Sequence, residues 1–153
     1  MKKKKVIIII SILEALYVLY YFYISTNNKV KTKEEKKVDK DIERLFNKNL
    51  NVNYPATPRE VVEYYSEILT YMYSGQASTK EIEELGKKCR MMFDEELLAE
   101  NSETNYIKDL KSEIKQYKEE HKTISTCIIE KSGDVEYKTF QSHYYAFVEC
   151  AYY

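Results

Sequence analysis

The chain has no tryptophan and, in 153 residues, only three glycines, two prolines, two histidines and three cysteines. Each shortage excludes something. A phosphate cradle needs glycines where the backbone approaches the ligand, and no glycine-rich loop, nucleophile elbow or His-Glu-x-x-His pair occurs. Cys89, Cys127 and Cys150 show no Cys-x-x-Cys spacing, and only His121 and His143 stand by to join them, which argues against structural zinc. No metal and no cofactor is expected, and no catalytic residue is assigned. An excess of positive charge is also missing. The net charge is −1, and residues 25–153 carry 20 basic and 24 acidic side chains, net −4. Phosphate backbones demand concentrated positive charge, so nucleic acid is not an expected partner.

An odd cysteine count leaves at least one thiol free in a monomer. Cys127 and Cys150 both fall in strand-like segments and are a candidate pair. The plainer expectation is that all three cysteines are small buried hydrophobes.

What the chain does have is a front end. Four lysines follow Met1, and the nineteen residues from Val6 to Ile24 then carry a single charge, Glu14. At about 1.5 Å per residue a helix of that length reaches roughly 28 Å, near the ~30 Å hydrocarbon core of a bilayer. Tyr20, Tyr21, Phe22 and Tyr23 cluster at its far end as an interfacial belt. Bulky rings stand where a signal peptidase would need small residues, so an uncleaved signal anchor is expected rather than a cleaved secretory signal. The bilayer is thus an expected partner through residues 6–24. Lysines flank both ends of this segment. The front lysines abut the apolar run directly, and this favours an inside N-terminus, a single pass through the cell membrane and an extracytoplasmic C-terminal domain. A carboxylate such as Glu14 at mid-bilayer costs about 2.5–3.5 kcal/mol. Glu14 is either an intramembrane contact with a partner or, more plainly, a protonated and tolerated residue.

Residues 25–52 read as a charged linker that includes a short amphipathic helix with Val38, Ile42, Leu45 and Phe46 at helical spacing. Residues 53–153 read as one α+β domain. Thr57, Pro58 and Glu60 form an N-cap, a first-turn proline and a capping-box acid. The helix they open carries Val61, Tyr65, Ile68, Leu69 and Met72 on one face and stops at Gly75. Ser78 and Glu81 repeat the capping box for a helix with Ile82, Leu85, Cys89 and Met92 inward. Phe93–Leu98 reads as a short third helix. Ser102 opens a longer one with Ile107, Leu110, Ile114 and Tyr117 at core spacing, closing near His121. The period then becomes two. Residues 122–131, the alternating Val135, Tyr137 and Thr139, and residues 144–153 predict three strands, separated by turns at Ser132-Gly133-Asp134 and Gln141-Ser142-His143. Helices followed by a strand meander imply helices packed on one side of a small antiparallel sheet, with Tyr144–Tyr153 as an exposed aromatic edge.

Three segments together resemble a known group. Tyr-Pro-Ala-Thr-Pro-Arg-Glu-Val-Val at Tyr54–Val62, Phe-Asp-Glu-Glu-Leu-Leu at Phe93–Leu98, and the turn and strand Gly133–Tyr137 follow the basic, apolar N-terminus. The set is similar to an uncharacterised family of single-pass proteins of low-GC Gram-positive bacteria, although Gly133 stands where that pattern has Ser or Ala. The resemblance covers about residues 50–153. It implies a membrane-anchored outer domain of NTF2-like, cone-shaped α+β fold and no assigned activity. NTF2-like sheets continue with one or two further strands, so such a sheet would be incomplete here.

The residues then support three functional readings. The first is a non-enzymatic binding or interaction module at the cell envelope, taking a protein, peptide or glycan. Sixteen tyrosines are its main lead, with Tyr65, His143, Tyr144 and Tyr152 as candidate pocket or contact residues. A tyrosine-rich core and half-exposed sheet explains the same residues more plainly. The second is a pocket protein with weak hydrolase or isomerase-type chemistry around His143. The third is a structural membrane subunit assembled through Glu14 and the aromatic edge.

Overall fold

The computed structural model describes residues 33–153, with side chains from Val38 onward. The expected span at residues 6–24, with Glu14, lies outside the described residues. The chain divides between Asp39 and Lys40, and the architecture below is that of the unit Lys40–Tyr153.

Among the described residues, five helices precede four short strands. Helix α1 is Lys33–Asn47, α2 Pro58–Met72, α3 Thr79–Arg90, α4 Glu95–Glu100 and α5 Glu103–Glu119. Strands β1 (Cys127–Ile129), β2 (Glu136–Phe140), β3 (His143–Phe147) and β4 (Cys150–Tyr152) follow. Local chemistry starts the helices. The Thr57 side chain accepts from Glu60 N at 3.2 Å, and Pro58 fills a first-turn position where no amide is needed. The Glu60 carboxylate reaches past Thr57 to Ala56 N at 2.8 Å, so this box closes one residue early. At α3 the box is complete: Ser78 N donates to Glu81 Oε2 at 2.7 Å and Glu81 N to Ser78 Oγ at 3.3 Å. Asp94 and Ser102 cap α4 and α5 by accepting from Leu97 N and Asn105 N, without a return bond.

Tertiary contact selects the faces. Ile68, Met72, Leu85 and Cys89 are the largest fully buried side chains, two from α2 and two from α3. Leu45 and Leu50 join them from α1 and the loop after it, and Leu110 and Ile114 from α5. Gly86 allows α3 and α5 to approach closely: a Cβ there would stand 2.7 Å from Ile107 Cδ1 and 2.8 Å from Leu110 Cδ2. Three polar ties hold α1. Tyr64 Oη, buried, donates to Leu45 O at 2.8 Å. Arg44 pairs with Glu67 at 2.7 Å. The Lys88 ammonium donates to Leu45 O and Lys48 O at 2.9 Å each and also to Phe46 O, a cation set on the carbonyl end of a helix.

The strands correct the expected fold. Instead of a three-stranded meander or an NTF2-like curved sheet under the helices, there are two separate two-stranded antiparallel ladders, β1–β4 and β2–β3. They are nested. Cys127 opposes Tyr152 and Ile129 opposes Cys150 at the base, while Glu136 opposes Phe147 and Phe140 opposes His143 at the tip. The segment 144–153 therefore does not act as one strand. It pairs first with β2 and then, after Val148 and Glu149, with β1. The opposing strand spends six residues, 130–135, on the same interruption, including a turn in which Asp134 N donates to Lys131 O at 2.9 Å. Because that turn does not reverse the chain, β1 and β2 follow one another along one side of a single two-stranded arm. The expected architecture also led with a transmembrane helix. Among the described residues no helix is long and apolar enough to cross a membrane.

The base of the arm meets the helices. Arg59 Nε donates to Glu130 O at 2.9 Å, Ile124 N to Tyr73 O at 3.2 Å, and the Ser66 and Tyr152 hydroxyls lie 2.8 Å apart.

Candidate interaction surface

No residue of β2 or β3 is buried. The hairpin closes on Gln141 and Ser142, whose φ values of 49° and 68° are both positive. That pair of dihedrals suits the twist of a two-residue hairpin and is normally supplied by Asn-Gly or Asp-Gly. Neither residue here is glycine, so the tip holds local backbone strain of the kind that glycine would relieve.

The register sorts the side chains. Glu136, Lys138, Phe140, His143, Tyr145 and Phe147 share one face, and Tyr137, Thr139, Tyr144 and Ala146 the other. Tyr144 is 90 % exposed and Tyr137 70 %, with Phe140, Tyr145 and Phe147 exposed on the opposite side. Lys138 pairs with Glu136 at 2.6 Å and lies 4.9 Å from the Phe147 ring centroid. Strand β2 thus carries Glu136 and Lys138, whereas β3 has no Asp, Glu, Lys or Arg. Charged side chains guard an edge against pairing, so β3 is the less protected of the two.

The candidates from sequence do not converge. Tyr65 is half-buried on α2, its ring 6.4 Å from that of Phe93, and burial raises its hydroxyl pKa. His143 stands exposed where the hairpin turns, its Nδ1 3.1 Å from Gln141 O. Tyr144 is beside it at the tip. Tyr152 lies at the base, where burial against α2 pushes its hydroxyl up to about 12. His143 and Tyr152 are nine positions apart in the chain, roughly 30 Å when extended. The surface also includes Phe140 and Phe147, which attention to the tyrosines alone passes over. Aromatics flanking a two-residue turn on both strands were the available signal.

A cleft of about 230 Å³ opens at the far end of α5, lined by Tyr73, Ile114, Tyr117, Lys118, His121 and Lys122 among others. His143 is not among its residues. Tyr73 and Tyr117 meet edge to face there, centroids 5.0 Å apart. The Tyr73 hydroxyl is raised by burial and then by the Glu113 carboxylate, which makes it a poor proton donor. Lys122 pairs with Glu120 at 2.6 Å. Among the described residues no group of three His, Cys, Asp or Glu side chains is arranged to hold a metal ion. The cysteines divide: Cys89 is in the core with its thiol pushed up to about 12 by burial, whereas Cys127 is half-buried and Cys150 exposed. Only Cys89 fits the expectation of a buried hydrophobe.

Fold and surface together define a small α+β domain whose helical core carries a projecting aromatic β arm. The chain belongs to the family described as a domain of unknown function (DUF6715), whose family model matches residues 1–153. No curated protein and no solved structure matches the chain.

Proposed function

We propose that the chain is a non-enzymatic interaction module held at the cell envelope, and that the β2–β3 hairpin is its contact surface. The hairpin's partner is an extended segment of another envelope protein, added along the β3 edge. The exposure of Tyr144 on a hairpin with no buried residue carries this reading. Tyrosine brings a large, rigid contact area with a polar tip at low entropic cost, and an unpaired strand edge supplies main-chain hydrogen bonds for an added strand. The strain at Gln141 and Ser142 supports the same reading, because a costly turn persists where its geometry is used. The lysine-led apolar stretch at residues 6–24 supports an association with the bilayer, with the domain outside, as in the bacterial single-pass proteins that the sequence resembles.

A photo-reactive residue placed at Tyr144 in the full chain, in intact cells, tests the contact. Cross-linking at Tyr144 exceeds that at Glu119, an exposed position on α5. The cross-linked protein, once purified, binds Tyr137→Ser/Tyr144→Ser at least tenfold more weakly than the parent. Equal cross-linking at the two positions, or equal binding of the double variant, overturns the hairpin assignment. Intact chain in the soluble lysate overturns the envelope assignment.

A further inference from the structure

The base of the arm brings two thiols together. Cys127 opposes Tyr152 and Cys150 opposes Ile129, so the two cysteines are diagonal neighbours on one face of the β1–β4 ladder. The two thiols are close enough for each charge to be felt by the other, and burial raises the Cys150 thiol. Cys127 is half-buried and Cys150 exposed, so a reagent can reach the pair, while Cys89 is sealed in the core. The ladder is anchored to the helices, because Tyr152, on the same face as the cysteines, is tied to Ser66 on α2 and the Glu130 carbonyl to Arg59. The two sulfurs are thus held near one another by elements that do not depend on a covalent bond between them.

We propose that Cys127 and Cys150 are a thiol–disulfide couple that covalently closes the base of the arm. The oxidant is a disulfide, either of a thiol–disulfide oxidoreductase or of a small thiol. One cysteine gives up its proton and attacks a sulfur of that disulfide, forming a mixed disulfide and releasing one thiol. The second cysteine, also deprotonated, attacks the protein sulfur of the mixed disulfide and releases the second thiol. Two protein S–H bonds are replaced by one S–S bond, and the reagent disulfide becomes two thiols. Two electrons pass from protein to reagent. The bond joins residues 127 and 150 and turns everything beyond them, the aromatic hairpin included, into a closed loop. The inference stands apart from the hairpin's role as a contact surface.

The experiment uses the purified full chain in glutathione buffers of rising disulfide fraction, followed by alkylation, trypsin and mass spectrometry without reduction. Cleavage after Lys122, Lys131 and Lys138 separates the two cysteines into peptides 123–131 and 139–153. These two peptides are expected to be joined in monomeric protein, with Cys89 alkylated only after denaturation. Cys89→Ser leaves the result unchanged. Cys127→Ser leaves Cys150 as a persistent mixed disulfide with glutathione, since the resolving thiol is gone. Separate alkylated peptides at every ratio, stable glutathione adducts on the parent protein, or linkage only between two chains would each overturn the proposal.

Discussion

The Tyr152 hydroxyl lies 2.8 Å from Ser66 Oγ, and this one hydrogen bond joins the last strand of the arm to the middle of α2. Ser66 is only 2 % exposed and is the one polar residue among the buried side chains described. Removing the Tyr152 hydroxyl leaves the buried Ser66 without its bond, a cost of about 1–3 kcal/mol, whereas removing both partners is close to neutral. Tyr152→Phe and Ser66→Ala are each expected to lower stability, and Tyr152→Phe/Ser66→Ala to lower it by less than the sum. Urea unfolding of the four proteins checks this. Additive losses would show that the contact carries no coupling.

Alkali should unfold the domain. Burial pushes the hydroxyls of Tyr64, Tyr71 and Tyr152 up to about 12, and Tyr73 and Tyr106 are raised further. Tyrosine in the unfolded chain ionises near pH 10. Above that pH the unfolded state holds fewer protons than the fold, so stability present below pH 10 is lost as pH rises toward 12. Lys88, lowered by burial, opposes this trend as a single group. The denaturant midpoint should fall steadily from pH 10 to 11.5, and a flat midpoint over that range would contradict the assignment.

Gly86 should not tolerate a larger side chain. A Cβ at that position would press on Ile107 Cδ1 and Leu110 Cδ2. Overpacking of this kind costs about 1–3 kcal/mol, while the better helix propensity of alanine returns less than about 1 kcal/mol. Gly86→Ala is therefore expected to be mildly destabilising and Gly86→Val clearly so. Thermal unfolding reads both, and an unchanged Gly86→Val would mean that α3 and α5 separate freely.

Lys88 should matter more than a surface lysine. Its ammonium gathers three carbonyls at the end of α1 and just beyond it. Hydrogen bonds from a charged group contribute about 1.5–3 kcal/mol. Lys88→Met keeps the stem and removes the donors, so it should lower stability by about that much. Lys115→Met, on an exposed face, should change it by less than about 0.5 kcal/mol. Equal effects would refute the cap.

Ser142→Gly should tighten the hairpin. Ser142 sits at φ 68°, where glycine carries no Cβ penalty. Amide exchange of β2 and β3 should slow roughly fivefold, about 1 kcal/mol of local stability. Unchanged or faster exchange would mean that the turn is not strained.

Helix starts were legible in the sequence because capping is local chemistry. Thr57, Ser78 and Ser102 each act on amides three residues away, whatever packs behind them. Adjacent tyrosines on α2 were harder. Spacing puts Tyr65 on the core face, yet Tyr64 is the one that is 2 % exposed, because Leu45 O on a different helix accepts its hydroxyl. Neighbouring residues on a helix lie about 100° apart, and a pattern of apolar positions does not show which of them meets a partner helix.

Read alone, the amino-acid order determined the lysine-led apolar front end, the capped helices, the β-rich tail and the lack of a recognisable catalytic or metal-binding motif. Strand pairing belonged to the tertiary structure. Whether Ser132-Gly133-Asp134 reverses the chain or only interrupts it depends on which segment β1 meets, and that partner lies more than twenty residues away. Pairing at such separation is decided by docking against α2, through Ser66 and Arg59, and not by local propensity. The same docking left the aromatic tip uncovered and set Cys127 beside Cys150.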